Sequence, residues 1–120
     1  MRFVITGGCG FLGSRLALSL LERGSSLGPI DELVLFDTAP PALTMPDDRR
    51  LRLATGDIAD RDTVRRLLEP GAAAVFHLAA VVSGQAEADT DLGLRVNLDG
   101  TRTLLDACRA LGTCPRLVFA

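Results

Sequence analysis

Short apolar runs alternate with longer amphipathic ones along the chain. Residues 3–6 form a compact, β-branched apolar run that predicts a strand rather than a helix. Across Phe11–Arg23, Leu12, Leu16 and Leu20 recur at every fourth position, with Phe11, Leu18 and Leu21 filling in. That spacing predicts a helix with one buried face, closed by Gly24. ELVLF at residues 32–36 predicts a second strand ending at Asp37. Pro40, Pro41 and Pro46 discourage a helix over residues 38–50 and leave a loop crossover or at most one turn. Leu51–Thr55 reads as a third strand, and residues 62–68 as a short helix capped by Asp60 or Asp62 and stopped at Pro70-Gly71. AAVFHL at residues 73–78 is a fourth strand. A long helix is expected over about residues 91–111, with Leu94, Leu98, Leu104, Leu105 and Cys108 inward and Gly112 as its cap. RLVFA at residues 116–120 is a fifth strand.

Strands that alternate with helical crossovers predict an α/β domain with a parallel sheet. Right-handed crossovers favour a doubly wound, Rossmann-type arrangement of about five strands in the order 3-2-1-4-5. A chain of 120 residues fits one domain or part of one. No internal repeat or low-complexity segment stands out.

Composition narrows the function classes. An apolar content of 48% excludes a disordered chain. The net charge of −2, with arginines interleaved among acids, gives no footprint for nucleic acid or an anionic membrane. Cys9, Cys108 and Cys114 are odd in number and form no CxxC pair, which fits a reducing, cytoplasmic setting without a metal site. The chain opens directly in a strand, leaving no room for a targeting segment. No apolar run approaches the ~18 residues of a membrane span.

The candidate chemistry lies at the end of the first strand. Gly7, Gly10 and Gly13 have the spacing G-x-x-G-x-x-G between a strand and a helix. In that context the first glycine permits a tight turn and the second lets backbone approach a pyrophosphate. The third lets the helix pack on the sheet. The helix N-terminus supplies free N–H groups for the anion. A dinucleotide is therefore expected, and Cys9 within the turn is expected to fill space rather than act as a nucleophile. Asp37 can accept both hydroxyls of the adenosine ribose and would repel a 2′-phosphate, favouring NAD over NADP. Asp57, with Ile58, can bond and pack against adenine, although Gly-Asp after a strand is also an ordinary turn. His77 is the only histidine. Without a partner motif it reads as a core histidine bonded to backbone rather than as an acid–base. Ala79 and Ala80 beside it leave room for a cofactor.

These residues carry a resemblance. VITGGCGFLGSRLA, LFD, GDIAD, VFHLAA and RVNLDGTRTLLDACR, in that order, resemble the extended short-chain dehydrogenase/reductase group, the NAD-dependent epimerase/dehydratase family, over essentially the whole chain. Within it, VVSGQAEADTDLGLRVNLDGT is most similar to the branch that oxidises the C2 hydroxyl of a four-carbon sugar acid to the 2-oxo acid with NAD. The resemblance implies that Gly7, Gly10, Phe11, Leu12 and Gly13 hold the pyrophosphate. It gives the ribose to Asp37, adenine to Asp57 and Ile58, and the nicotinamide side to the backbone of Leu78, Ala79 and Ala80. It makes Asn97 a support of the active-site architecture near the cofactor, and the same residue can also bond a neighbouring strand. It makes Ser83 a first substrate contact, although Ser-Gly is also a common turn. It further implies a homodimer when the protein is complete.

The same resemblance requires a Tyr-x-x-x-Lys pair and a nearby Ser or Thr for proton transfer. The chain contains no tyrosine, and its thirteen basic residues are all arginine. Residues 1–120 are thus expected to be the truncated N-terminal, NAD-binding part of a longer enzyme, without catalytic residues of its own. Alone it is expected only to bind NAD and to be inactive. A nucleotide-sugar epimerase or dehydratase of the same family, and a non-catalytic NAD-binding module, are the competing readings.

Overall fold

The computed structural model describes residues 1–80 and 83–120, with the side chains of Ser83, Gly84 and Ala86 also outside the description. β1 (Arg2–Thr6) is the central strand of a five-stranded parallel sheet, joined by β2 (Glu32–Asp37), β3 (Leu51–Thr55), β4 (Ala74–His77) and β5 (Arg116–Phe119) in the order β3-β2-β1-β4-β5. This is the predicted doubly wound order. Helices pack on both faces of the sheet over β1, so side chains on both of its faces are buried. Phe3, Val4 and Ile5 are all fully buried. A strand sealed on both faces reads as a continuous apolar run.

Alternation along the strands divides the core in two. Val4, Val34 and Val75 lie side by side in register and pack on α2 (Arg61–Leu68) through Val64, Leu67 and Leu68, and on α5 (Thr101–Leu111) through Leu104. Phe3, Ile5, Leu33 and Leu35 face the other way and pack on α1 (Phe11–Arg23) through Ala17, with Leu16, Leu20 and Leu21 at the edge. Each fully buried side chain of this size contributes about 1.5–3 kcal/mol of transfer free energy.

The helix ends follow local chemistry. Asp60 caps α2: its Oδ1 accepts from the amides of Asp62 and Thr63 at 3.1 and 3.2 Å. This decides between the two aspartates. Gly24 and Gly112 end α1 and α5 at positive φ. The crossover over residues 38–50 is loop and turn, as the prolines require. Its last turn is tied back by Arg50, which pairs with Asp48 at 2.7 Å and donates to the Leu21 carbonyl at 2.9 Å. That pairing lowers the Asp48 carboxyl to about 2.

Several expectations fail. Only Gly13, Ser14 and Ala17 of α1 are buried, while Phe11 and Leu12 stand exposed at its first turn. The helix lies too close to the sheet for leucines on its inner face, so small residues take that face and the leucines flank it. The expected long helix runs without interruption from Thr90 to Leu111, but a π-helical stretch (Leu94–Gly100) lies inside it between α4 (Thr90–Gly93) and α5, and an unpredicted α3 (Ser83–Ala88) precedes it. Leu94, Leu98 and Leu105 point outward, and of the expected inward residues only Leu104 is fully buried, with Cys108 half-buried. The inward stripe instead runs through Gly93, Val96, Gly100, Leu104 and Cys108. Glycine takes the close positions: a Cβ on Gly100 would lie 2.6 Å from Cγ2 of Ile58. β4 is one residue shorter at each end than predicted, and β5 is exposed at every position.

Neighbouring leucines on α5 separate these faces. Leu104→Ala is expected to cost about 2–5 kcal/mol, as for a buried leucine, and Leu105→Ala to stay within about 1 kcal/mol. Urea midpoints of the two variants check this; similar losses would place Leu105 in the core.

Candidate functional site

The glycine turn forms where β1 runs out between its two neighbours. Gly7 has φ +65°, and a Cβ there would lie 2.7–2.8 Å from the Leu78–Ala79 peptide at the exit of β4. Gly8 donates to the Phe36 carbonyl of β2 at 3.2 Å, and a Cβ on it would meet the Ile5 carbonyl oxygen at 2.7 Å. A Cβ on Gly13 would strike the Gly7 carbonyl oxygen and approach the Gly8 Cα at 2.7 Å. Packing of the protein on itself therefore requires three of the four glycines. Gly10 is different. A Cβ on it would meet nothing closer than 3.4 Å, its φ of −69° suits any residue, and it borders an open cleft. The α1 N-terminus behind it has no side-chain cap and no acid in its first turn. Its first amides have no carbonyl partner within the helix.

The cleft holds about 370 Å³ and runs from the glycine turn along the exits of β2, β3 and β4. Gly7, Gly10, Asp37, Asp57, Ile58, Leu78, Ala79 and Ala80 all line it. Four other expected site residues lie elsewhere. Gly13 is buried beneath the turn, and Phe11 and Leu12 project from the helix start. Asn97, on the π-helical stretch, borders two shallower depressions outside the cleft. Ser83 opens α3, and its side chain lies outside the described residues. Phe36, Thr38 and Gly56 complete the near wall, and Gln85, Leu92 and Val96 the far one. Phe36, Thr38 and Gly56 adjoin Asp37 and Asp57 in sequence, so adjacency could have found them. The far wall carries no sequence signal, because the π-helical stretch sets its phase.

Each carboxylate in the cleft already has protein partners. Asp37 accepts from the Cys9 amide at 3.1 Å and from the Thr38 amide at 2.7 Å, tying the glycine turn to the end of β2. Both oxygens retain a lone pair for a further donor. Asp57 accepts from the Ala59 amide at 2.8 Å and from Arg95 at 2.6 and 3.0 Å. The Ala59 amide, then Arg95, holds its carboxyl below the usual carboxylate range. Burial, followed by the charge of Asp37, raises the Cys9 thiol, so Cys9 stays protonated and fills space.

His77 is a core histidine as expected, although its recorded partners are hydroxyls rather than backbone. Nδ1 lies 2.7 Å from Thr6 Oγ1 and Nε2 2.9 Å from Thr101 Oγ1, and the Phe119 ring lies 5.6 Å away. Burial lowers its pKa. Among the described residues no cluster of metal-ligating side chains occurs, and no helix is long and apolar enough to cross a membrane.

The NAD dependent epimerase/dehydratase family model matches residues 3–120. A D-erythronate dehydrogenase from Cupriavidus necator is 52% identical over 99% of this chain, which spans 38% of that relative's length. Among solved structures, a nucleoside-diphosphate-sugar epimerase from Agrobacterium tumefaciens superposes with a TM-score of 0.88 at 35% identity. It covers 99% of this chain and 36% of its own. A dTDP-glucose 4,6-dehydratase from Streptomyces venezuelae, solved with NAD and TYD bound, gives 0.84 at 31% identity, covering 98% of this chain and 38% of its own.

The lowered pKa of His77 makes stability pH-dependent. Below about pH 6.5 the unfolded chain takes up a proton that the folded state resists, so unfolding gains. The thermal midpoint is expected to fall as pH drops from about 6.5 towards the folded pKa, and His77→Gln to flatten that stretch of the curve. Equal slopes for both proteins would show that His77 is readily protonated in the fold.

Proposed function

The chain belongs to the NAD dependent epimerase/dehydratase family, and on that premise we propose that residues 1–120 are the NAD-binding part of an oxidoreductase acting on a small sugar acid. The observation that carries the reading is Gly10. Its missing side chain relieves no internal contact, and the space it leaves opens onto the cleft beside an uncapped helix terminus. A pyrophosphate needs such a place, where backbone amides approach without a Cβ between.

The remaining groups fit the rest of the cofactor. Asp37 accepts from the ribose hydroxyls with the lone pairs that Cys9 and Thr38 leave, and its charge disfavours a 2′-phosphate. Asp57, kept ionised by the Ala59 amide and Arg95, accepts from the adenine amino group, and Ile58 packs on the ring. Leu78, Ala79 and Ala80 bound the nicotinamide end. Phe11, Leu12 and Gly13 contribute through the backbone of the first turn, Asn97 through the architecture of the π-helical stretch, and Ser83 as a substrate contact. Bound there, the nicotinamide would supply a hydride acceptor for a substrate carbon. This chain's residues hold and orient it, and no tyrosine or lysine is present to move the hydroxyl proton.

The D-erythronate dehydrogenase likeness supports a sugar acid as substrate, and the proposed reaction is oxidation of its C2 hydroxyl to the 2-oxo acid. The likeness to the Agrobacterium epimerase supports a second reading, a nucleotide-sugar epimerase or dehydratase using the same cleft. The exposed stripe Leu94, Leu98 and Leu105 supports the homodimer expected of the complete protein. A cytoplasmic setting remains part of this reading, on the three unpaired cysteines.

Calorimetric titration with NAD and NADP tests it. Gly10→Ala is expected to weaken NAD binding at least about tenfold while changing stability by less than about 1 kcal/mol. Gly13→Ala is expected to lose about 1–3 kcal/mol of stability or more. Undiminished NAD binding by Gly10→Ala would reduce the turn to a packing device. Asp37→Asn keeps an acceptor for the Cys9 amide but removes the charge. The preference for NAD over NADP is expected to narrow about tenfold.

A further inference from the structure

His77 sits in a set of hydrogen bonds whose directions can be worked out. Thr101 has one hydroxyl proton, and it donates to the Asn97 carbonyl at 2.9 Å. Its oxygen can therefore only accept from His77 Nε2, 2.9 Å away. Nε2 must carry a proton, which leaves Nδ1 of the neutral ring with a lone pair. At 2.7 Å from Nδ1, Thr6 Oγ1 supplies the proton, and the same oxygen accepts from the Ala79 amide at 3.3 Å. The sequence of donors is Ala79 N–H to Thr6 hydroxyl to His77 Nδ1, then His77 Nε2–H to Thr101 hydroxyl to the Asn97 carbonyl. The other neutral tautomer would turn the Thr101 proton to Nε2 and away from the Asn97 carbonyl, and with Thr6 Oγ1 then accepting from both Nδ1–H and the Ala79 amide it would leave the Thr6 proton without the ring as its acceptor.

The two ends of this relay lie on different elements. Ala79 follows β4 and lines the cleft, its peptide pressed against Gly7. Asn97 belongs to the π-helical stretch, between Val96 of the far wall and Gly100, which packs on Ile58. His77 is 1% exposed, so no solvent competes for its bonds. We infer that His77, as the neutral Nε2–H tautomer, is a positioning residue that fixes the Ala79 peptide and the π-helical stretch relative to each other. It thereby sets the width of the cleft between Ala79 and the far wall. This rests on the NAD reading of the cleft. It assigns His77 a role through Thr6 and Thr101 rather than contact with cofactor or substrate.

Two measurements on the 120-residue protein decide it. His77 is the single histidine, so a long-range proton–nitrogen correlation spectrum of the cofactor-free protein reports its ring without assignment. The expected pattern is a protonated, pyrrole-type Nε2 and an unprotonated, pyridine-type Nδ1; the reverse pattern or an imidazolium at neutral pH overturns the relay. The second measurement is NAD affinity. Thr101→Val, close to isosteric, is expected to weaken binding about threefold to tenfold, the range for a residue acting through its neighbours. Thr101→Ser, which keeps the hydroxyl, is expected to restore it. Wild-type affinity in a folded Thr101→Val, or no recovery in Thr101→Ser, overturns the positioning role. Should the wild type show the expected tautomer and yet bind no NAD, the cofactor reading fails, and the positioning role with it.

Discussion

Backbone pressed on backbone at the exit of β1 is the constraint from which the rest of the structure follows. Gly7 lies against the Leu78–Ala79 peptide, Gly8 against the end of β2, and Gly13 against Gly7 and Gly8. No side chain fits at any of the three. Their absence brings α1 down onto the sheet, which is why its inner face is Gly13, Ser14 and Ala17 rather than leucine. The same approach places the helix terminus between strands whose connections leave in opposite directions. In doubly wound sheets that switch point is where a crevice opens.

The cleft meets charge economically. Its glycine turn offers amide dipoles rather than cations. Its two carboxylates are held by amides of their own loops and, at Asp57, by Arg95. A net charge of −2 and the absence of lysine leave no broad positive field to draw anions in. An anion bound here is recognised by geometry at short range. The exposed pair Asp57–Arg95 adds little to stability, and its value is to hold a carboxylate ionised at the rim of the cleft.

Buried polarity is sparse and fully partnered among the described residues. Thr6, Ser14, His77 and Thr103 are its members. The His77 relay concentrates it where β4, β1 and the start of α5 meet. Two hydroxyl partners alone would suit either neutral tautomer; the Ala79 amide on Thr6 and the Asn97 carbonyl beside Thr101 favour one arrangement of protons, and an unsatisfied alternative costs about 1–3 kcal/mol. Such a group specifies a geometry more than it adds to stability. Leucines on the outer face of the same helix, with β5 exposed throughout, contrast with this tight interior.

The sequence by itself determined the strands, their order, the helix stops and the residues around the glycine turn. Each rests on local rules: β-branched apolar runs, proline and glycine punctuation, and right-handed crossovers. Asp37, Asp57, Ile58, Ala79 and Ala80 follow as the residues that strand ends deliver to one edge of the sheet. Tertiary structure decided which apolar positions were core. Burial depends on how closely two elements approach: Gly100 against Ile58 turns the helix so that Leu94, Leu98 and Leu105 face out, a phase that leucine spacing alone misreads. It also decided that Gly10, alone among the turn glycines, faces open space. And it gave His77 its partners, Thr6 and Thr101, which stand 71 and 24 residues away along the chain. Hydrogen bonds at such separations have no local signature, because they form only after the sheet has brought their elements together.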